Sequence, residues 1–96
     1  MIKRIVKMSF VPEKVNDFLA VYKDNWNLIR GFEGCDYVEL LQDENAPHIF
    51  FTYSLWKSET HLNTYRDSEL FNSVWSRVKP LFNDKPQAWS VKEVKF

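Results

Sequence analysis

A single cysteine, Cys35, stands in these 96 residues. The chain therefore closes no internal disulfide and builds no cysteine-based metal cluster, which suits a reducing compartment. Glycine is almost as scarce: Gly31 and Gly34 are the only two. That excludes a glycine-rich phosphate cradle, a Walker loop and a dinucleotide fingerprint. Net charge is missing too, because 13 basic and 13 acidic side chains cancel, and no summed field remains to hold a polyanion or an anionic membrane. No apolar run approaches the roughly 18 residues that span a bilayer. The opening MIKRIVKMSF is too short and too alternating for a signal peptide, so a cytoplasmic protein is expected. Neither histidine, His48 or His61, has a second ligand at the spacing of one helical turn, and no metal site is expected.

Aromatic residues are abundant, at 17% of a chain that is 45% apolar. They alternate with aliphatic residues rather than with Lys and Arg, the pattern of a core and not of a base-stacking platform, so nucleic acid is not the expected partner. This length supports one domain, residues 1–96, with one core.

The stretch HIFFTYSLWKSETHLNTYRDSELF, from His48 to Phe71, organises the rest. As a strand, residues 49–56 put Ile49, Phe51, Tyr53 and Leu55 on one face and Phe50, Thr52, Ser54 and Trp56 on the other. Both faces are largely apolar, which predicts a strand inside a sheet covered on two sides. Before it, Ile2 to Val11 alternates as a first strand, with Arg4, Val6 and Met8 on one face. Pro12 and Glu13 open a helix on which Val15, Phe18, Leu19, Tyr22, Trp26 and Ile29 make one buried stripe. Gly31 is expected as its left-handed stop. Cys35 to Gln42 reads as a second strand, with Cys35, Tyr37, Glu39 and Leu41 on one face, joined to the third by the turn residues 43–47.

After Trp56, Ser58 is the expected N-cap of a short helix that turns Leu62 and Tyr65 inward. Asp67 and Ser68 recap a segment in which Leu70, Phe71, Val74, Trp75 and Val78 form a second stripe, and Pro80 ends it. Gln87 to Phe96 is the last predicted strand. The order β-α-β-β-α-β is that of the ferredoxin-like α+β fold, a four-stranded antiparallel sheet with helices on one face. Its other face, carrying Phe51, Tyr53 and Leu55, predicts a homodimer packed sheet to sheet.

With Gly34-Cys35 at the start of strand two, Trp56 followed by Lys57-Ser58-Glu59, and Ser68-Glu69-Leu70-Phe71 at the next helix, the chain resembles the antibiotic biosynthesis monooxygenase family of dimeric α+β barrels along its whole length. The resemblance implies a pocket between sheet and helices for a small apolar or aromatic ligand. In oxygenase members, phenolic or hydroquinone-like aromatics are oxidised by dioxygen with neither metal nor flavin, so no cofactor is expected. The alternative is a non-enzymatic barrel that binds a small molecule. The family's tryptophan maps to Trp56, whose indole N–H is a donor for a substrate oxygen. Thr52 stands where cofactor-free relatives have asparagine, Leu62 where they have tyrosine, and their arginine has no counterpart. A haem-degrading branch is also similar, but the position of its axial histidine is Trp75, and Tyr65 replaces its second pocket tryptophan, which disfavours haem degradation.

Each candidate has a functional and a plain reading. Trp56 is a catalytic donor or a core corner. Tyr65 is a phenol poised as donor or base, or a core tyrosine. His61 is a proton acceptor or a solvent-facing side chain. Arg4 is a pocket-mouth cation or a snorkelling strand-end charge. Phe50, Thr52, Tyr22, Trp26 and Trp75 line the cavity or fill the core. Asn25 is a pocket group or a solvated amide, and Cys35 is a small filler.

Overall fold

Alternation in Ile2–Ser9 forms β1, and the computed structural model, which describes residues 1–96, pairs it antiparallel with β3 (Ile49–Trp56) on one side and β4 (Gln87–Val91) on the other. β2 (Cys35–Gln42) completes the sheet against β3, giving the order β2-β3-β1-β4. α1 (Val15–Arg30), α2 (Glu59–Arg66) and α3 (Glu69–Val78) supply the helices of the expected ferredoxin-like α+β fold. No helix is long and apolar enough to cross a membrane.

Local chemistry sets the helix starts. Pro12 occupies the first position of a 3₁₀ turn, Pro12–Lys14, that leads into α1. Ser58 Oγ accepts the His61 backbone N–H at 3.2 Å and Ser68 Oγ accepts that of Phe71 at 3.1 Å, so both serines cap a helix with free N–H groups. Burial then fixes the layers. Met8, Phe10, Phe18, Phe50 and Val78 close the core, with the Phe10 and Phe18 rings stacked at 4.1 Å.

Several expectations are corrected. α1 buries Phe18, Asn25 and Ile29 while Leu19 is exposed, because the arc facing the sheet runs through Phe18, Tyr22, Asn25 and Ile29. Asn25 tolerates that position because its Nδ2 donates to the Val21 carbonyl at 2.8 Å. Gly31 is not left-handed: its φ is −83°, and the turn into β2 is made at Gly34, φ +88°. A bulge between Cys35 and Tyr37 sets Cys35 opposite Trp56, on the helix side, and the expected alternation resumes only from Tyr37. β1 stops at Ser9 rather than Val11; Phe10 forms an isolated bridge to Phe82. β4 stops at Val91 rather than Phe96. Val91 lies opposite Lys3, so almost no template strand remains beyond it.

Candidate functional site

The helix side of the sheet carries two cross-strand rows that matter. Val38, Ser54, Arg4 and Ser90 lie side by side across β2, β3, β1 and β4, and Leu40, Thr52, Val6 and Ala88 form the next row. A polar row thus crosses an apolar floor. Above it, Phe18, Tyr22 and Ile29 of α1, Leu62, Tyr65 and Arg66 of α2, and Phe71, Val74, Trp75 and Val78 of α3 form the roof of a cavity of about 190 Å³. That is below the several hundred Å³ of drug-sized sites but above the roughly 150 Å³ cavity that admits benzene. One or two fused rings are the size it accepts.

Its walls are a run of touching rings. Trp56, 1% exposed, stacks on Tyr65 at 4.8 Å; Tyr65 meets Phe71 edge-on at 5.3 Å; Phe71 stacks on Trp75 at 5.8 Å. The Trp56 indole N–H donates to Ser54 Oγ at 3.0 Å, so this donor is already committed and Trp56 acts as a wall that seats Tyr65. The Tyr22 hydroxyl is buried with no hydrogen-bond partner. A buried polar atom left unpaired costs about 1–3 kcal/mol.

Of the residues singled out from sequence, Trp56, Tyr65, Thr52, Tyr22, Arg4 and Trp75 line this cavity together. Phe50 lies beneath it in the core, 2% exposed. Trp26 lines a separate open groove between α1 and β2, with the Arg30 guanidinium 5.2 Å above its ring. His61 also lies apart from the lining. Its Nδ1 and Ser58 Oγ are 2.7 Å apart, and its ring sits where a Cβ at Gly34 would fall. Two contributors escaped the sequence reading. Ser54 was legible from alternation, on the face of Thr52 and Trp56, but carried no further signal, whereas Arg66 follows Tyr65 at a helix end and only the packing of α2 over the sheet brings it to the lining.

Burial governs the protonation of the two phenols. Tyr22 is pushed up to about 12, first by burial and then by its proximity to Cys35, Glu39 and Tyr37. Tyr65 is raised still further, again by burial first, then by Cys35 and Tyr22. Both are neutral donors near neutral pH, so Tyr65 does not serve as the base that its sequence position allowed. Burial likewise raises the Cys35 thiol, which keeps it from being a thiolate nucleophile. A group whose neutral form is favoured by folding stabilises the native state fully below its ordinary pKa of 10 and loses that contribution as pH rises through its folded value. Alkaline titration followed by phenolate absorbance is expected to leave Tyr22 and Tyr65 un-ionised until unfolding. For Tyr22 the loss of stability falls in the window from 10 to about 12. Tyr22→Phe is expected to move the alkaline unfolding midpoint upward.

No three His, Cys, Asp or Glu side chains gather as a metal site. Haem does not fit the residues present: the indole of Trp75 has no lone pair for iron, its ring stacks on Phe71, and the cavity is too small for a macrocycle.

No curated protein matches the sequence significantly. Solved structures do match its fold. A conserved protein from Methanosarcina mazei Go1 superposes with a TM-score of 0.92 at 22% identity, over 97% of this chain and 92% of that one. A structure described as an antibiotic biosynthesis monooxygenase gives 0.94 at 19% identity, over 99% and 100%. A protein from Mycobacterium tuberculosis gives 0.89 at 14% identity, over 99% and 96%. At such identities the likeness is one of fold. The family model for antibiotic biosynthesis monooxygenases matches residues 1–74, the span that holds every cavity side chain except Trp75, Val78 and Ala88, and by that match the chain belongs to the antibiotic biosynthesis monooxygenase family.

Proposed function

We propose that the cavity binds a small phenolic or hydroquinone-like aromatic and that the protein oxidises it with dioxygen, using neither metal nor flavin. The observation that carries the reading is an apolar, ring-lined cavity whose lining includes two neutral phenols, Tyr22 and Tyr65. Dioxygen is a triplet and reacts sluggishly with closed-shell molecules, so the substrate must become an electron-rich anion. No histidine or carboxylate lines the cavity. The substrate's own acidity therefore generates the anion, with its proton passing to water, and the phenols donate to the resulting oxyanion while the rings exclude water. The ring C–H para to the oxyanion then becomes C=O, one oxygen atom of dioxygen entering the carbonyl and the other leaving as water with that hydrogen and one proton, with no outside reductant.

With chelator-treated protein, phenols and hydroquinones of one and two fused rings are expected to drive oxygen uptake above the buffer blank. The pH profile should follow the acidity of each compound, and Tyr65→Phe should slow uptake by about 10²-fold. Uptake equal to the blank across the panel removes the oxygenase reading. The missing base favours a second reading in that event: a carrier that shelters the same aromatic, shown by binding without turnover.

The assembly belongs to the same proposal. Leu41, Trp89 and Val91 on the outer sheet face are 44%, 43% and 41% exposed, beside half-buried Ile5, Phe51, Tyr53 and Leu55. Lys3, Lys7 and Glu39 share this face, yet it is mostly apolar, and such a face in a small domain supports a second copy as its cover. A cytoplasmic location, where such a protein would stay reduced, completes the reading.

A further inference from the structure

Arg4, near the start of β1, and Arg66, the last residue of α2, are the only charged side chains lining the cavity. The chain's one ion pair joins Lys57 Nζ to Asp36 Oδ1 at 2.9 Å, so neither arginine is neutralised by a carboxylate. Arg4 Nη1 donates instead to the neutral Ser90 Oγ at 3.0 Å. Arg66 is exposed and Arg4 half-buried, which puts the pair at the mouth of the cavity, with Arg4 one row from Thr52 and Val6 on its floor. Resting on the reading of this cavity as a site for a small aromatic, we propose that the ligand also carries a carboxylate, held by Arg4 and Arg66 at the mouth while its ring enters between Thr52, Tyr65 and Trp75.

Two like charges facing an apolar cavity with no counter-ion are a costly arrangement in the free protein. Burial, followed by the charge of Arg66, indeed draws Arg4 below its ordinary value, although a guanidinium stays cationic at neutral pH. An incoming anion removes that cost. A carboxylate offers two oxygens, one for each guanidinium or both for one fork, whereas a phenolate offers a single oxygen. The reacting oxyanion is then left to the phenols deeper in, and the carboxylate fixes which end of the ring they meet.

Naphthoate, naphthamide and naphthol titrated against the wild-type protein, followed by tryptophan fluorescence, test this. Naphthoate is expected to bind about tenfold or more tighter than naphthamide, with the margin shrinking as salt is added. Arg4→Gln and Arg66→Gln should each erase most of that margin while naphthamide binding is kept. Arg66 is exposed, so its variant tests the idea even if Arg4→Gln fails to fold. Arg77→Gln, the same change of charge on α3 away from the cavity, should preserve the margin. Equal binding of naphthoate and naphthamide overturns the carboxylate proposal and leaves the aromatic site standing. Tight naphthol binding that depends on the arginines, with weak naphthoate, overturns it in favour of a phenolate at the same pair. No binding by any of the three overturns both this proposal and the aromatic-site reading.

Discussion

Gly34→Ala is expected to lose about 2–5 kcal/mol of stability, a large share of the roughly 5–15 kcal/mol that holds a domain together. Two separate costs add. At φ +88° an L-residue is held in the left-handed region, worth about 1–2 kcal/mol, and the new methyl would fall on the His61 side chain, an overpacking cost of about 1–3 kcal/mol. A double-mutant cycle separates them. His61→Gly, which removes the Cβ as well as the ring, should by itself cost about 1 kcal/mol as a glycine in a helix; combined with Gly34→Ala it should recover the steric part and leave the backbone part. Denaturant unfolding measures all four chains, and full additivity of the two changes would show that the contact with His61 carries no weight. The cycle also gives His61 a role, as the side chain that α2 packs against the turn into β2.

Tyr53→Glu is expected to convert the proposed dimer to a monomer, raising its dissociation constant by more than about 10³-fold. Tyr53 lies opposite Ile5 on β1 and Glu39 on β2, in the middle of the outer face. A glutamate there would face Glu39 within its own sheet and, once two sheets met, would be buried without a partner. Each such charge costs several kcal/mol, and a two-fold interface counts it twice. Sedimentation velocity over a dilution series reads the result, with the melting curve confirming that each copy still folds. A wild-type chain that is already monomeric at low concentration, or a variant that stays dimeric, would remove the sheet-to-sheet assembly.

Much of the cavity was legible along the chain because strand alternation is a strict two-residue rule. It put Thr52, Ser54 and Trp56 on one face and Phe51, Tyr53 and Leu55 on the other, and the register against β1 kept them there. Helical phase is looser. The stripe read from spacing held Phe18 and Ile29, which are buried, but also Leu19, which is exposed, and it passed over buried Asn25 because hydrophobicity alone does not select a polar residue. The Cys35 bulge and the delayed left-handed turn at Gly34 are likewise one-residue irregularities, invisible to a periodic pattern.

Composition and periodicity by themselves determined that this is a small α+β domain with an aromatic core, without a nucleotide cradle or a disulfide, and with a sheet greasy on both sides. Those properties depend on residues near one another in sequence. Only the tertiary structure decided that Arg4 and Arg66 share a cavity mouth, that Trp56 spends its N–H on Ser54, that Tyr22 is left unpaired and that His61 turns away from the cavity. Such facts arise where separate elements pack together, and packing brings side chains within reach that no local rule relates.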